Sequence, residues 1–340
     1  MSYNRKYICT FHDTLEEVAT RFGYKKYDLQ DYHNAHCALD KRIVSDVGSG
    51  VEIILPPEGF TLKEGGKIDI NELKLVQSGM DGTIYFKPYN LDRTYGVVIK
   101  RSEGDKTTQL HYKIHFRFVR MTKNDTFEIE IEKQQVYINN QAPDLIAEQL
   151  AEECGSVLYP LRLEIARSAK ILSITNVDKI EERWKNRRNK ILKYYNSYIT
   201  KRIVAEMDTA CKSHQKLLQS IKNNLFFSLY FSNLYIAHGE DFVANYNRDI
   251  PLDQFEAPFD YSITQSLLPY QTKSNKVKLV AGGSYADTNT KSQFLSIYKL
   301  SPVSNTIFSI EGTFLLEQKK QIKETVFNTY HLEYLEKQIQ

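Results

Sequence analysis

Residues 112–133 read YKIHFRFVRMTKNDTFEIEIEK, and this stretch decides the fold class. Tyr112, Ile114, Phe116 and Phe118 alternate with Lys113, His115 and Arg117, the period-two pattern of a strand with one buried face. FEIEIEK repeats the alternation, and TKNDT supplies the Asn and Asp of a turn. Folding on that turn sets Phe118 opposite Ile129 and Phe116 opposite Ile131. The same register sets Arg117 opposite Glu130 and His115 opposite Glu132 on a wet face, where opposite charges across the pair contribute about 0.2–1 kcal/mol each.

Working outward, APDLIAEQLAEECG reads as a short helix with Leu145, Ile146, Leu150 and Ala151 inward and Gly155 as its stop. LYPLRLEIARSAKILSITN then reads as two strands. Thr175 and Asp178 form a candidate capping box before IEERWKNRRNKILKYYNSYITKRIVAEM, whose Ile180, Trp184, Ile191, Tyr194, Tyr198 and Ile203 make an approximate apolar stripe. Helical character continues through KLLQSIKNNLFF with one break expected. From about residue 227, segments such as FLSIYKL and NTIFSIEGTFLLE turn back to β. Strands, then helices, then strands predict an α+β fold dominated by antiparallel sheet rather than a parallel α/β one.

Composition bounds the function classes. The 340 residues are 41% hydrophobic and 26% charged, with 45 basic against 42 acidic side chains and a net charge of +3. Such a balance directs the whole chain at neither nucleic acid nor membrane, and no run reaches the roughly 20 apolar residues of a span. Four scattered cysteines, Cys9, Cys37, Cys154 and Cys211, form no CxxC pair and suit reduced thiols, with a Cys9–Cys37 bridge as the alternative. MSYNRKYICTFHD lacks a signal-length apolar core, so a cytoplasmic location is expected if the natural start is here.

At the N-terminus, FHDTLEEVATRFGY (residues 11–24) places Leu15, Val18, Ala19 and Phe22 on one helical face. Asp13 and Glu16 are read as its capping box, and Gly23 as a left-handed stop. KYICTF before it reads as a strand, a segment with Tyr27, Leu29 and Tyr32 after it as a second helix, and VGSGVEIILPP as a closing strand.

That strand–helix–helix–strand order resembles the LysM family, βααβ modules that bind N-acetylglucosamine-containing glycans such as peptidoglycan. The resemblance rests on Tyr7 to Thr10, on HDTLEEVATRFGY against the family's Gly-Asp-Thr-Leu turn and helix, on Asn34, and on Val47, Gly48, Val51 and Ile53. It implies a shallow glycan groove with Asp13, Thr14 and Leu15 on one wall and Ile43, Val44 and Ser45 on the other. His12 stands where the family usually carries glycine. The expected organisation is a LysM-like module at 1–57, a linker at 58–75 and an α+β domain at 76–340, strand-rich at 76–175, helical at 176–226 and strand-rich at 227–340.

Other candidate chemistry yields to simpler readings. Cys9, His12, Asp13, His33, His36 and Cys37 are ligand-type residues, but their spacing matches no zinc module, so no metal or cofactor is expected. His111 and His115 share a strand face, with Arg117 and Glu130 nearby, a set that could do acid–base work but that polar residues on a wet face explain equally well. Arg183, Lys185, Arg187, Arg188, Lys190 and Lys193 around Trp184 could contact phosphates, but Glu181 and Glu182 dilute them and a solvated helix face is favoured. AGGSYADTNT lacks the lysine and spacing of a phosphate loop. Nothing identifies an enzyme. Two readings lead, a non-enzymatic binder of peptidoglycan-type glycan, or a cytoplasmic structural or adaptor component of a contractile injection system or phage-tail-like assembly that uses the module for protein docking; an enzyme within residues 76–340 is placed last.

Overall fold

The computed structural model describes residues 5–56, 61–68, 74–252, 258–318 and 321–333. It divides the chain into two compact units, Met1–Gln77 with Leu268–Lys278, and Ser78–Leu267 with Leu279–Gln340. Of the expected linker at 58–75, residues 58–60 and 69–73 lie outside the described residues.

In the first unit, β1 (Arg5–Ile8) pairs antiparallel with β2 (Glu52–Leu55), and α1 (Leu15–Arg21) and α2 (Lys26–His36) lie between them in sequence. Leu15, Val18 and Ala19 of α1 pack with Leu29, Ile43, Ile53 and Leu55 in one core. The capping box is one residue later than expected: Thr14 caps α1, its hydroxyl accepting from Glu17 N while the Glu17 carboxylate accepts from Thr14 N. Gly23 takes the left-handed conformation at φ +77°. A hairpin of β3 (Leu62–Lys63) and β4 (Lys67–Ile68) lies against α2 so closely that a Cβ on Gly66 would sit 2.3 Å from Tyr32 N. Segment 268–278 joins this unit through Val76 N donating to Pro269 O and Gln271 N donating to Lys74 O, each 2.8 Å.

The second unit holds one 11-stranded sheet built from two meanders. The first comprises β5 (Asp92–Glu103), β6 (Lys106–Met121), β7 (Phe127–Ile138), β8 (Leu161–Ile165) and β9 (Ile171–Ile174). The second comprises β10 (Val243–Ile250), β11 (Phe259–Leu267), β12 (Val277–Ala286), β13 (Thr290–Leu300), β14 (Ile307–Gln318) and β15 (Gln321–His331). The last strand pairs antiparallel with the first of the unit, from Lys323↔Glu103 to His331↔Tyr95, which makes the meanders one sheet. The β6–β7 register is the one read from the sequence, with Phe118↔Ile129, Arg117↔Glu130, Phe116↔Ile131 and His115↔Glu132.

The face expected to be wet is only partly so, with Arg117 exposed and His115 and Glu132 half-buried. Glu128 and Glu130 are buried. Glu130 accepts from Arg162 Nε at 2.6 Å and from Arg117, while Glu128 accepts from Arg120 Nε at 2.6 Å and Thr175 Oγ1 at 2.7 Å. Burial alone would raise both carboxyls, but the Thr175, Arg162, Arg117 and Arg120 contacts outweigh it and both pKa values fall. Thr175 is therefore occupied by Glu128, and Asn176 takes the N-cap position without a side-chain bond to the helix.

Helices fill the two insertions. After α3 (Ile146–Ser156) come α4 (Val177–Tyr194), α5 (Tyr198–Cys211), α6 (His214–Lys222) and α7 (Leu225–Tyr230), so the long helical region breaks three times rather than once. Leu150 and Cys154 carry the buried face of α3, whereas Leu145, Ile146 and Ala151 are exposed and Gly155 lies inside the helix. Ile180, Trp184 and Ile191 are buried as expected, but Tyr194 and Tyr198 are exposed, because the chain turns between them at the α4–α5 break.

All of α7 is buried. Tyr230 stacks on Phe116 at 4.2 Å between ring centroids, and Phe226 meets Tyr112, Phe116 and Phe327 at 6.0–6.2 Å. One six-residue helix thus packs its rings on β5, β6 and β15. Phe116→Ala is expected to cost about 3–5 kcal/mol in urea unfolding; a loss below about 1 kcal/mol would show that this contact does not anchor α7.

Candidate functional site

The loop between β1 and α1 and the loop between α2 and β2 meet in the first unit. Asp46 joins them, its Oδ1 accepting from Leu15 N at 2.7 Å and Val47 N at 2.9 Å. Asn34 fixes the second loop: its Nδ2 donates to Ile43 O at 2.8 Å and its Oδ1 accepts from Ile43 N at 2.8 Å. Gln30 adds bonds to Ile43 O and Val44 O. The two segments expected to form groove walls are therefore held together by side chains of α2 and Asp46.

The six expected glycan contacts are brought to one region but not aimed alike. Leu15 and Ile43 are core residues, and their amide N–H groups are already bonded to Asp46 and Asn34. Asp13 is 6% exposed and faces inward. Its carboxylate accepts from Tyr7 OH at 2.7 Å, Thr10 N at 2.7 Å, Thr10 Oγ1 at 2.8 Å and Arg21 at 2.8 Å. Thr14 is exposed, with its hydroxyl engaged by Glu17, and Val44 and Ser45 are exposed. Ile8, Phe11 and Leu39 of the same unit are exposed as well.

Phe11 is not among the six expected contacts, although it lies in the loop that carries Asp13 and Thr14. It is the last residue of KYICTF, the segment expected as the first strand, but that strand ends at Ile8, and Phe11 is 84% exposed, with the His12 ring edge-on at 5.2 Å. An apolar ring held clear of the core by a capped helix start was the signal that could have found it.

The metal-type cluster separates into structural roles. The His33 ring is buried, its Nδ1 accepting from Ile54 N at 3.0 Å and its Nε2 donating to Lys41 O at 2.9 Å, which fixes the tautomer. His36 donates to Tyr32 O at 2.7 Å. All four cysteines are free thiols. Among the described residues no group of three or more His, Cys, Asp and Glu is placed to hold a metal ion, and no helix is long and apolar enough to cross a membrane.

In the second unit His115 pairs with Asp92 at 2.6 Å, and His111 lies 3.5 Å from the Tyr330 hydroxyl. The basic stretch of α4 is largely spent on structure. Arg183 donates to Val157 O, Leu158 O and Pro160 O, Arg187 pairs with Glu153, Arg188 with Asp208, and Lys185 with Glu181. Lys190 and Lys193 flank a cavity of about 480 Å³ with Tyr194 and Tyr195. AGGSYADTNT is strand for most of its length, because β12 runs through both glycines; a Cβ on Gly283 would lie 2.6 Å from the Phe294 ring.

No protein-family model matches this chain, and no curated protein matches it. Among solved structures, a chain from work on lipid–protein interactions in lipovitellin aligns with a TM-score of 0.43 and 10% identity, covering 75% of this chain. This chain spans only 25% of that one, and so slight a likeness carries no argument about function.

Asp13 offers a direct check on the loop geometry. The Tyr7 hydroxyl, Thr10 and Arg21 hold its carboxyl far below the ordinary value. A depressed folded pKa adds stability above the unfolded value of about 3.9, and that stability is lost as pH falls toward the folded value. Asp13→Asn is therefore expected to lower the Tm at pH 7, with the gap to the native protein narrowing below about pH 4. A gap independent of pH would contradict the assigned bonds.

Proposed function

We propose that this chain is a non-enzymatic docking protein whose first unit is a LysM-type module turned to protein recognition. The supporting observation is the exposure pattern at the joined loops. The polar and apolar side chains that would read a sugar, Asp13, Leu15 and Ile43, are directed into the unit, and the amides of Leu15 and Ile43 are already bonded. Phe11, Val44 and Leu39 are left in solvent, at 84%, 88% and 78% exposure. Apolar side chains left in solvent can be covered by contact with another protein. A structural assembly of the contractile-injection or phage-tail kind is the partner class this reading expects, with the second unit as a scaffold.

Glycan binding is the second reading, and the open Phe11 ring favours it, since an exposed aromatic face can stack on a sugar. Both readings are tested on the full chain. Phe11→Glu with Val44→Glu is expected to abolish co-purification of a stoichiometric partner from the native cell. Calorimetry with N-acetylglucosamine oligomers is expected to give no saturable heat. Saturable heat lost on Thr14→Arg, in a folded variant, would overturn docking in favour of the glycan.

A further inference from the structure

Arg248 lies in the second unit on β10, at the end of the sheet's strand order. Strand alternation turns Ala244, Tyr246, Arg248 and Ile250 to one side and Asn245, Asn247 and Asp249, all exposed, to the other. A cation thus occupies a core-facing position between buried Ala244 and Ile250.

Its partners are neutral. The guanidinium donates to Ser228 O at 2.6 Å and to Ser232 Oγ, with Ser228 Oγ at 3.5 Å. Burial pulls its pKa below the ordinary arginine value, and only the Tyr298 and Tyr246 hydroxyls act the other way. Among the described residues no carboxylate pairs with it, in contrast to Arg117, Arg120, Arg162, Arg167, Arg187 and Arg188. A desolvated charge without a counter-ion is destabilising, and a guanidinium has five donors in a fork matched to an oxyanion.

A cavity of about 470 Å³ opens beside it. Lys170 and Lys222 join Arg248 in its lining, with Asn223 and Asn233 as neutral partners. Asp249 is the one lining carboxylate among the described residues, and it springs from the opposite face of β10. A second cavity, of about 280 Å³, shares Asn223 and Pro251 with the first. Its walls are Ile99, Leu110, Ile138, Leu225 and Leu252, and its cation, Arg101, is tied to Leu252 O at 3.0 Å.

We infer that these adjoining cavities bind an amphiphilic phosphate monoester, with the phosphate against Arg248, Lys222 and Lys170 and the apolar chain along Leu225 and the β5–β6 walls. Among the described residues, three cations around one lining carboxylate favour a dianion, and the apolar cavity gives its substituent a place to leave water.

The test is calorimetric titration of the full chain with octyl phosphate, below its micelle-forming concentration, and with inorganic phosphate at matched ionic strength. Octyl phosphate is expected to bind saturably at one site, at least about tenfold more tightly than inorganic phosphate. Arg248→Met is expected to weaken it by about 10–100-fold, the loss of a charged hydrogen-bond pair. Lys222→Ala, at an exposed position that does not risk the fold, is expected to weaken it several-fold, and Arg248→Lys to retain part of the affinity. Equal affinity for the two ligands would assign the site to free phosphate and overturn the amphiphile. Absence of saturable binding, or binding indifferent to both Lys222→Ala and Arg248→Lys, would overturn the site.

Discussion

The second unit depends on the seating of α7 against the inner face of its sheet. Tyr230 stacks on Phe116 and lies edge-on to Tyr95, whose hydroxyl donates to Ile307 O at 2.6 Å. One short helix therefore touches strands from both meanders, and the β15–β5 pairing holds those meanders together. Ser228 within α7 and Ser232 just after it are also the residues that meet Arg248. The seating of the helix and the shape of the basic cavity follow from the same packing.

Polar groups inside this protein are organised in two contrasting ways. Glu128 and Glu130 are buried beneath arginines that reach over them from β6 and β8, so each carboxylate keeps its charge and its partners. In the first unit Asp13 and His33 do comparable work: each satisfies backbone groups that loops would otherwise leave unpaired. Residue types that suggest ligand binding in a sequence are here the means by which loops are closed. Arg248 departs from this, since only neutral atoms answer it among the described residues.

The β6–β7 hairpin was legible because its alternation admits a single register, and a one-residue slip would turn Phe116 and Phe118 to the other face. The same pattern could not show that Glu128 and Glu130 are covered, because β8 and Thr175 supply the cover from elsewhere in the chain. The α1 cap was read one residue early: Asp13 and Thr14 are both capping types, and Glu16 and Glu17 both stand three residues on. The start of α7 falls in KLLQSIKNNLFF, expected to be helical, but its end does not, because LFFSLY is apolar except for Ser228 and periodicity cannot tell a buried helix from a strand there. For the groove, sequence located the two loops but not the direction of their side chains. Arg248 was hidden among polar neighbours in VANYNRDI, where strand alternation alone turns it inward.

The most direct test of this account is amide hydrogen exchange of the full chain, resolved at residues 225–230. If α7 is the packed centre of its unit, its amides exchange only with global unfolding, at the rate of the β5 and β6 amides. Exchange of α7 ahead of those strands, at the rate of the more exposed α5, would contradict it.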